Sequence, residues 1–170
     1  MVGGELLQQL AAESHEVVHL ARRDVPSKPP IRTVVVDFAA LDAVELHADV
    51  GFCALGTTIG KAGSRDAFLQ VDHDAVIAFA ELCKRAGVQT FVLVSSLGAD
   101  ATSRVFYNKT KGLVEQALGH LGFPHFITVR PSILDGNRNE SRPGEAAGER
   151  EWKCQSQGLP REEGVRCSAF

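Results

Sequence analysis

The segment Phe91-Val92-Leu93-Val94-Ser95-Ser96 has the pattern of a buried strand ending in two serines, and Tyr107-Asn108-Lys109-Thr110-Lys111 opens a helix soon after it. Tyr107 and Lys111 are four residues apart, so on a helix they lie on one face, one turn apart. An ammonium group close to a phenol favours the phenolate, which lets a tyrosine exchange a proton near neutral pH. The segment therefore predicts a strand, a helix and a proton-transfer site.

Short apolar strands alternate with helices on both sides of this segment. The predicted strands are 16–20, 33–36, 49–55, 91–94 and 126–129. Three helices are predicted. The first begins at or before residue 1, the second runs from Phe68 to a stop at Gly87, and the third runs from Tyr107 to a stop at Gly122. Near-continuous apolar strands separated by helices indicate a parallel sheet covered on both faces. Right-handed crossovers then predict an α/β fold with a doubly wound, Rossmann-like sheet.

In such a sheet the ligand lies beyond the carboxyl ends of the strands. Residues that directly follow the predicted strands would therefore meet at one edge. They are Arg22, Asp37, Gly56, Ser96 and Pro131. Their convergence indicates a binding site more strongly than any one of them alone.

Composition and charge exclude several classes of protein. The 170 residues suffice for one α/β domain, and a net charge of −3 without a basic cluster argues against a nucleic-acid partner. No apolar run reaches membrane-spanning length and no signal peptide is recognisable, so we expect no membrane partner and a cytoplasmic protein. Four cysteines without CxxC spacing and six scattered histidines predict no metal site. Cys53 and Cys83 are expected to be buried free thiols.

Five segments carry a resemblance to a known family. They are Phe52-Cys53-Ala54-Leu55-Gly56-Thr57-Thr58, Gly60-Lys61-Ala62-Gly63, Ser95-Ser96 with Gly98-Ala99-Asp100, Tyr107 to Lys111, and Glu140-Ser141-Arg142-Pro143-Gly144-Glu145. Together they resemble the Tat-interacting-protein family, a group of atypical short-chain dehydrogenases/reductases with an NAD(P)-binding Rossmann fold. The resemblance runs from about residue 2 to residue 145. It implies bound NADP(H) or NAD(H), oxidoreductase activity and a small-molecule substrate that the motifs do not identify.

The resemblance also implies roles for individual residues. Tyr107 would supply a proton, Ser96 would hold the substrate oxygen, and Lys111 would contact the nicotinamide ribose. The implied cofactor contacts are Gly3, Asp37 and Phe38 (at the adenine), Leu55, Gly56, Thr57, Thr58, Lys111 and Pro131. Each has a structural alternative, because Ser96 could be a turn cap, Lys111 a solvated helix residue, residues 56–58 an ordinary turn, and Asp37-Phe38 only a strand end.

Two further groups of charged residues need an interpretation. Arg22 and Arg23 follow the second family strand, where a guanidinium can pair with the 2′-phosphate of NADP; the alternative is two solvated arginines. Asp72, His73 and Asp74 are consecutive on a predicted helix, so they do not converge on a metal. We expect these three to lie on the surface.

The chain departs from the family pattern at both ends. Met1-Val2-Gly3-Gly4 resembles only the last part of the family's glycine-rich turn, so the first strand of the fold and two glycines are expected to be missing. Residues 146–170 show no periodicity and are expected to be disordered or a non-native tail, which leaves 1–145 as an incomplete domain. Because the missing strand would be central, we expect residues 1–170 to be unstable and to bind dinucleotide poorly.

Two other functions stay open at this point. The domain could be a non-catalytic protein that senses NADP(H), or the chain could be an inactive truncated product of a functional gene. The sequence also leaves open a homodimer and a protein partner. Tyr107 and Lys111 favour the enzyme.

Overall fold

The computed structural model describes residues 2–131 and the backbone of residues 167–169. The helices are α1 (Val2–Ala12), α2 (Ile59–Ala62), α3 (Arg65–Leu69), α4 (Ala75–Arg85) and α5 (Phe106–His120), with a π-helical turn (Gln70–Asp74) joining α3 to α4. The strands are β1 (Val17–Ala21), β2 (Ile31–Val35), β3 (Val50–Cys53), β4 (Thr90–Val94), β5 (His125–Val129) and β6 (Cys167–Ala169). The motif at 140–145 and the tail at 146–166 lie outside the described residues.

All strand pairs are parallel, and the sheet runs in the order β2-β1-β6-β3-β4-β5. Helices join β3 to β4 and β4 to β5, whereas the chain passes from β1 to β2 and from β2 to β3 without a helix. The all-parallel sheet with helices on both faces confirms the predicted Rossmann-like fold. Gly87 and Gly122 follow α4 and α5 with φ of 78° and 70°, the left-handed conformation that ends a helix. Both predicted helix stops are therefore confirmed.

The centre of the sheet differs from the expectation of a missing strand. Residues 167–169 lie between β1 and β3, so that Cys167 stands opposite both Val17 and Val50. Each neighbour would otherwise present a row of unpaired N–H and C=O groups, and any extended backbone can satisfy them. Pairing through backbone groups requires no particular pattern of side chains. For this reason the sequence of residues 167–169, which lies in a region without periodicity, did not predict a strand.

The two faces of the sheet are covered by different helices. On one face, Leu10 of α1 packs with Val17 of β1 and with Val50 and Phe52 of β3. Because neighbouring strand residues face opposite sides, Cys53 belongs to the larger cluster on the other face, which α4 and α5 cover. None of the helices in residues 2–131 is long and apolar enough to cross a membrane.

The larger cluster has an aromatic centre. Phe91 of β4 stacks on Phe123, with ring centroids 4.9 Å apart, and its ring also lies 5.7 Å from that of Phe79 of α4. Val114 and Leu118 of α5 complete this cluster. The packing fixes α5, and with it Tyr107 and Lys111, against the carboxyl half of the sheet.

Candidate functional site

Lys111 is buried against a carboxylate rather than exposed at the edge of the sheet. Only 6% of Lys111 and 1% of Asp72 are accessible to solvent, and Lys111 Nζ lies 2.8 Å from Asp72 Oδ1. The expectation that Asp72 lies on the surface is therefore wrong. Asp72 belongs to the π-helical turn, which points this one residue inward, while His73 Nδ1 contacts the exposed Asp74 carboxylate at 2.8 Å.

The second oxygen of Asp72 holds the turn that follows β3. The Thr57 N–H donates to Asp72 Oδ2 at 2.7 Å. Gly56 is adjacent, and a Cβ on it would lie 3.4 Å from Asp72 Oδ1 and 3.7 Å from Lys111 Nζ. One buried carboxylate thus connects the turn at residues 56–58 to α5.

Tyr107 is half-buried beside this ion pair. Its ring centroid lies 5.8 Å from that of the fully buried Phe68 and 6.0 Å from Lys111 Nζ. The predicted juxtaposition of tyrosine and lysine is present. Lys109, two positions earlier than Lys111, is exposed, as the sequence predicted.

The loop after β4, which carries Ser96, docks directly on α5. The Asp100 N–H donates to the Asn108 carbonyl at 3.0 Å. A Cβ on Gly98 would come within 2.9 Å of the Asn108 side chain, and a Cβ on Gly112 would lie only 2.1 Å from the Ala101 nitrogen. Glycines on both sides therefore let the loop touch the helix backbone, which places the half-buried Ser96 next to the helix of Tyr107.

Ser95 and Ser96 face different surroundings. Ser95 is buried and its N–H donates to the Val129 carbonyl at 2.8 Å, whereas its hydroxyl has no hydrogen-bond partner in the described part of the chain. The inward orientation expected for Ser95 is confirmed. Ser96 begins the turn, since its carbonyl accepts the Ala99 N–H at 3.0 Å.

The other predicted cofactor residues divide into structural and accessible groups. Phe38 is 8% exposed within the core, and Asp37 accepts the Ala39 N–H at 2.9 Å, so this pair stabilises the end of its strand. Leu55 packs against the same core. Thr58 caps α2 by accepting the Lys61 N–H at 3.2 Å.

Four other predicted cofactor residues follow a strand or open a helix. Arg22 and Arg23 are exposed just after β1, and neither forms a salt bridge within residues 2–131. Gly3 lies in the first turn of α1, which precedes β1 and packs on it through Leu10 and Val17. The Pro131 carbonyl accepts the Leu97 N–H at 3.2 Å, next to the Ser96 loop.

Cys53 shares the interior with the ion pair but is not a nucleophile. It is a free, fully buried thiol at the end of β3. Burial raises the pKa of Cys53 to about 12, so the thiol stays neutral near neutral pH. Cys53 is therefore not a candidate for proton transfer at this edge near neutral pH.

Comparison with known proteins identifies the family to which the chain belongs. The sequence model of a family described as NAD(P)H-binding matches residues 1–151. The chain belongs to this NAD(P)H-binding family. The resemblance to the Tat-interacting-protein family is also confirmed by the relatives described next.

The chain is similar to rat Protein HTATIP2, with 49% identity over 115 residues, 65% of this chain and 47% of the relative. It is similar to Protein FMP52, mitochondrial, of Debaryomyces hansenii, with 40% identity over 84% of this chain and 66% of the relative. The corresponding protein of Emericella nidulans is 42% identical over 86% of this chain and 68% of its own length. The chain thus spans about half to two thirds of the length of these curated relatives.

Solved structures agree on the fold. The oxidoreductase ylbE from Lactococcus lactis superposes with a TM-score of 0.59 at 19% identity, covering 76% of this chain and 64% of that one. MoeE5 in complex with UDP-glucose and NAD gives a TM-score of 0.58 at 18% identity, covering 75% and 48%. Both likenesses concern the fold alone, a parallel sheet flanked by helices.

The described residues fit a nicotinamide dinucleotide at the carboxyl edge, with one difference from the expected contacts. Two exposed guanidinium groups and the N–H groups at the start of α1 are of the kind that phosphate groups bind, whereas the Thr57 N–H of the turn at 56–58 is already engaged by Asp72. The difference is Lys111, whose ammonium contacts Asp72 and is almost entirely buried. The sequence contained no signal for this partner of Lys111.

Proposed function

We propose that the NAD(P)H-binding protein is an oxidoreductase that reduces a carbonyl, or oxidises an alcohol, of a small molecule with NADP(H). The observation that carries this proposal is the packing of Tyr107 beside Lys111 on α5, with the Ser96 loop docked on the same helix. A proton donor, a neighbouring cation and a hydroxyl are the groups that such a reaction requires from the protein.

Each residue has a distinct part in the proposed mechanism. The nicotinamide supplies or accepts the hydride. Tyr107 gives its phenolic proton to the oxygen that gains negative charge, and Ser96 donates a hydrogen bond to that oxygen. Lys111 keeps positive charge close to the Tyr107 ring, while Asp72 holds Lys111 and the turn at 56–58 in fixed positions.

Replacing Tyr107 with Phe is expected to slow substrate reduction about 100-fold or more, because a positioned general acid contributes about 10²–10⁴ in rate. The affinity for NADPH should change little, since the Phe ring keeps the packing on Phe68. Consumption of NADPH with a panel of aldehydes and ketones measures the first effect, and titration calorimetry the second. Lys109→Met is the control, because Lys109 is exposed two residues away. Wild-type turnover in Tyr107→Phe would show that the catalytic role is wrong.

Replacing both Arg22 and Arg23 with Ala is expected to weaken NADPH binding about tenfold or more and to leave NADH binding nearly unchanged. The physical reason is the loss of charge-assisted hydrogen bonds to a 2′-phosphate that NADH lacks. The double variant Lys28→Ala with Arg32→Ala removes the same charge from exposed positions and is the control. Equal losses of NADPH and NADH affinity would contradict the proposed preference for NADP.

A second candidate is a dinucleotide-binding regulator that performs no reaction. The observation in its favour is the burial of Lys111 against Asp72, which removes the lysine from the position expected of a ribose contact. A protein that binds NADPH but consumes none with any member of the carbonyl panel would support this candidate over the enzyme.

We propose a reducing compartment, the cytoplasm, for this protein. The support is the buried thiol of Cys53, which forms no disulfide in the described residues. The names of the fungal relatives described above include the word mitochondrial, and that word describes the location of those fungal proteins. Fractionation of cells that make the tagged protein distinguishes the two compartments.

A further inference from the structure

The middle of the sheet is built by the last described strand in sequence. In the described part of the chain β1 and β3 do not pair with each other, and both pair with β6. The sheet therefore consists of one half with β2 and β1 and another half with β3, β4 and β5, and residues 167–169 join the two halves.

The place that β6 occupies is longer than β6 itself. β1 pairs with β2 over five residues, and β3 pairs with β4 over four, but β6 pairs with only three residues of each. The ladder on the β6 side ends at His19 and Phe52, so Leu20 and Ala21 of β1 and Cys53 of β3 lie beyond it. A strand of four or five residues would pair along more of both neighbours.

The walls of this place are apolar and come from both halves. On one face α1 packs Leu10 against Val17 of β1 and together with Val50 and Phe52 of β3. On the opposite face Leu20 and Cys53 belong to the main core. A strand between β1 and β3 would therefore direct alternate side chains toward two apolar layers.

We propose that the space between β1 and β3 is a strand-binding slot that takes an extended apolar peptide in parallel orientation, and that residues 167–169 are the occupant which the chain supplies itself. Backbone hydrogen bonds to two neighbours supply affinity, and the alternating layers select apolar side chains, as in other cases of strand addition. The proposal is independent of any dinucleotide or reaction.

The first test uses the full chain and hydrogen exchange. Ser168→Pro removes the N–H of the middle residue of β6, whereas Ser168→Ala keeps the backbone donor. We expect backbone amides in β1 and β3 to exchange about tenfold faster in Ser168→Pro than in Ser168→Ala, as loss of a backbone hydrogen bond implies. Equal exchange in the two variants would overturn the proposal.

The second test adds the strand from outside. A labelled peptide with the sequence of residues 164–170 is titrated into the Ser168→Pro chain and into the wild-type protein, with fluorescence anisotropy as the readout. We expect the peptide to bind the proline variant at least tenfold more tightly than the wild type, because residues 167–169 no longer occupy the slot in that variant. We also expect the bound peptide to restore protection of the β1 and β3 amides from hydrogen exchange. Should Ser168→Pro fail to fold, the same peptide is added during refolding and is expected to restore folded protein.

Two further peptides define what the slot recognises. A peptide lengthened by one apolar residue beyond residue 170 should bind more tightly than the parent, because the register of β6 puts that added residue opposite Ala21. A peptide with proline at the position of Ser168 should bind at least tenfold more weakly than the parent. Equal binding of the proline peptide, equal binding to wild type and variant, or refolding without any response to the parent peptide would each overturn the proposal.

Discussion

Replacing Lys111 with Met is expected to lower the free energy of unfolding by about 3–5 kcal/mol, because it leaves the Asp72 carboxylate buried without its cationic partner. Asp72 is almost completely inaccessible and its Oδ1 faces Lys111 Nζ at 2.8 Å, so water cannot readily replace the ammonium. Urea denaturation of the two proteins measures the difference. An unchanged urea midpoint would show that the pair does not act as a buried salt bridge.

The double variant Lys111→Met with Asp72→Leu is the control for that prediction. It removes both charges and substitutes apolar groups, which is often neutral or stabilising in a protein interior. The Thr57 N–H loses its acceptor in this variant, at about 1–3 kcal/mol. We therefore expect the double variant to be more stable than Lys111→Met alone, and a lower stability would contradict the electrostatic explanation.

Replacing Gly112 with Ala is expected to lower the free energy of unfolding by about 3 kcal/mol or more. The added methyl group would lie 2.1 Å from the Ala101 nitrogen and 2.3 Å from the Asp100 carbonyl carbon, and both are backbone atoms. Overpacking costs about 1–3 kcal/mol even where side chains can yield, and backbone yields less readily. The loop that carries Ser96 would have to leave α5.

Gly119→Ala on the same helix is the matched control. A Cβ at Gly119 has no heavy atom within 4 Å beyond its own helix and chain neighbours. Gly119 lies in the last turn of α5, where alanine is favoured over glycine by less than the about 0.5–1 kcal/mol of a helix interior, so this variant should be slightly more stable than the wild type. Thermal and urea unfolding should give opposite signs for the two substitutions. The same sign for both would mean that the loop does not contact α5 as described.

The regular elements could be predicted because their signals are local. Continuous apolar runs identified five of the strands, and the positive φ of Gly87 and Gly122 explains why glycine marked the ends of two helices. The helix predicted from Phe68 is interrupted by the π-helical turn at Gln70–Asp74. This wider turn is what a pattern based on 3.6 residues per turn does not anticipate.

The site was predictable only in part, because its central contacts join distant segments. The four-residue spacing placed Tyr107 and Lys111 on one face of a helix, which the structure confirms. Asp72 is followed by His73 and Asp74 in sequence, a polar run typical of a solvated surface, and its burial depends on a partner 39 positions later. A glycine in a helix interior, such as Gly112, was the one available clue to the docked loop.

The carboxylate of Asp72 has a consequence for how this protein would respond to a ligand. One oxygen of Asp72 accepts the Thr57 N–H and the other contacts the Lys111 ammonium, so this carboxylate links the turn after β3 to helix α5. A ligand L that binds this turn with dissociation constant Kd stabilises the native state by RT ln(1 + [L]/Kd). The two contacts of Asp72 connect the bound turn to the helix that carries Tyr107, so ligand binding also stabilises the position of that helix. Substitutions at Asp72 therefore alter resistance to heat and ligand affinity together, so neither property can be tuned there without the other.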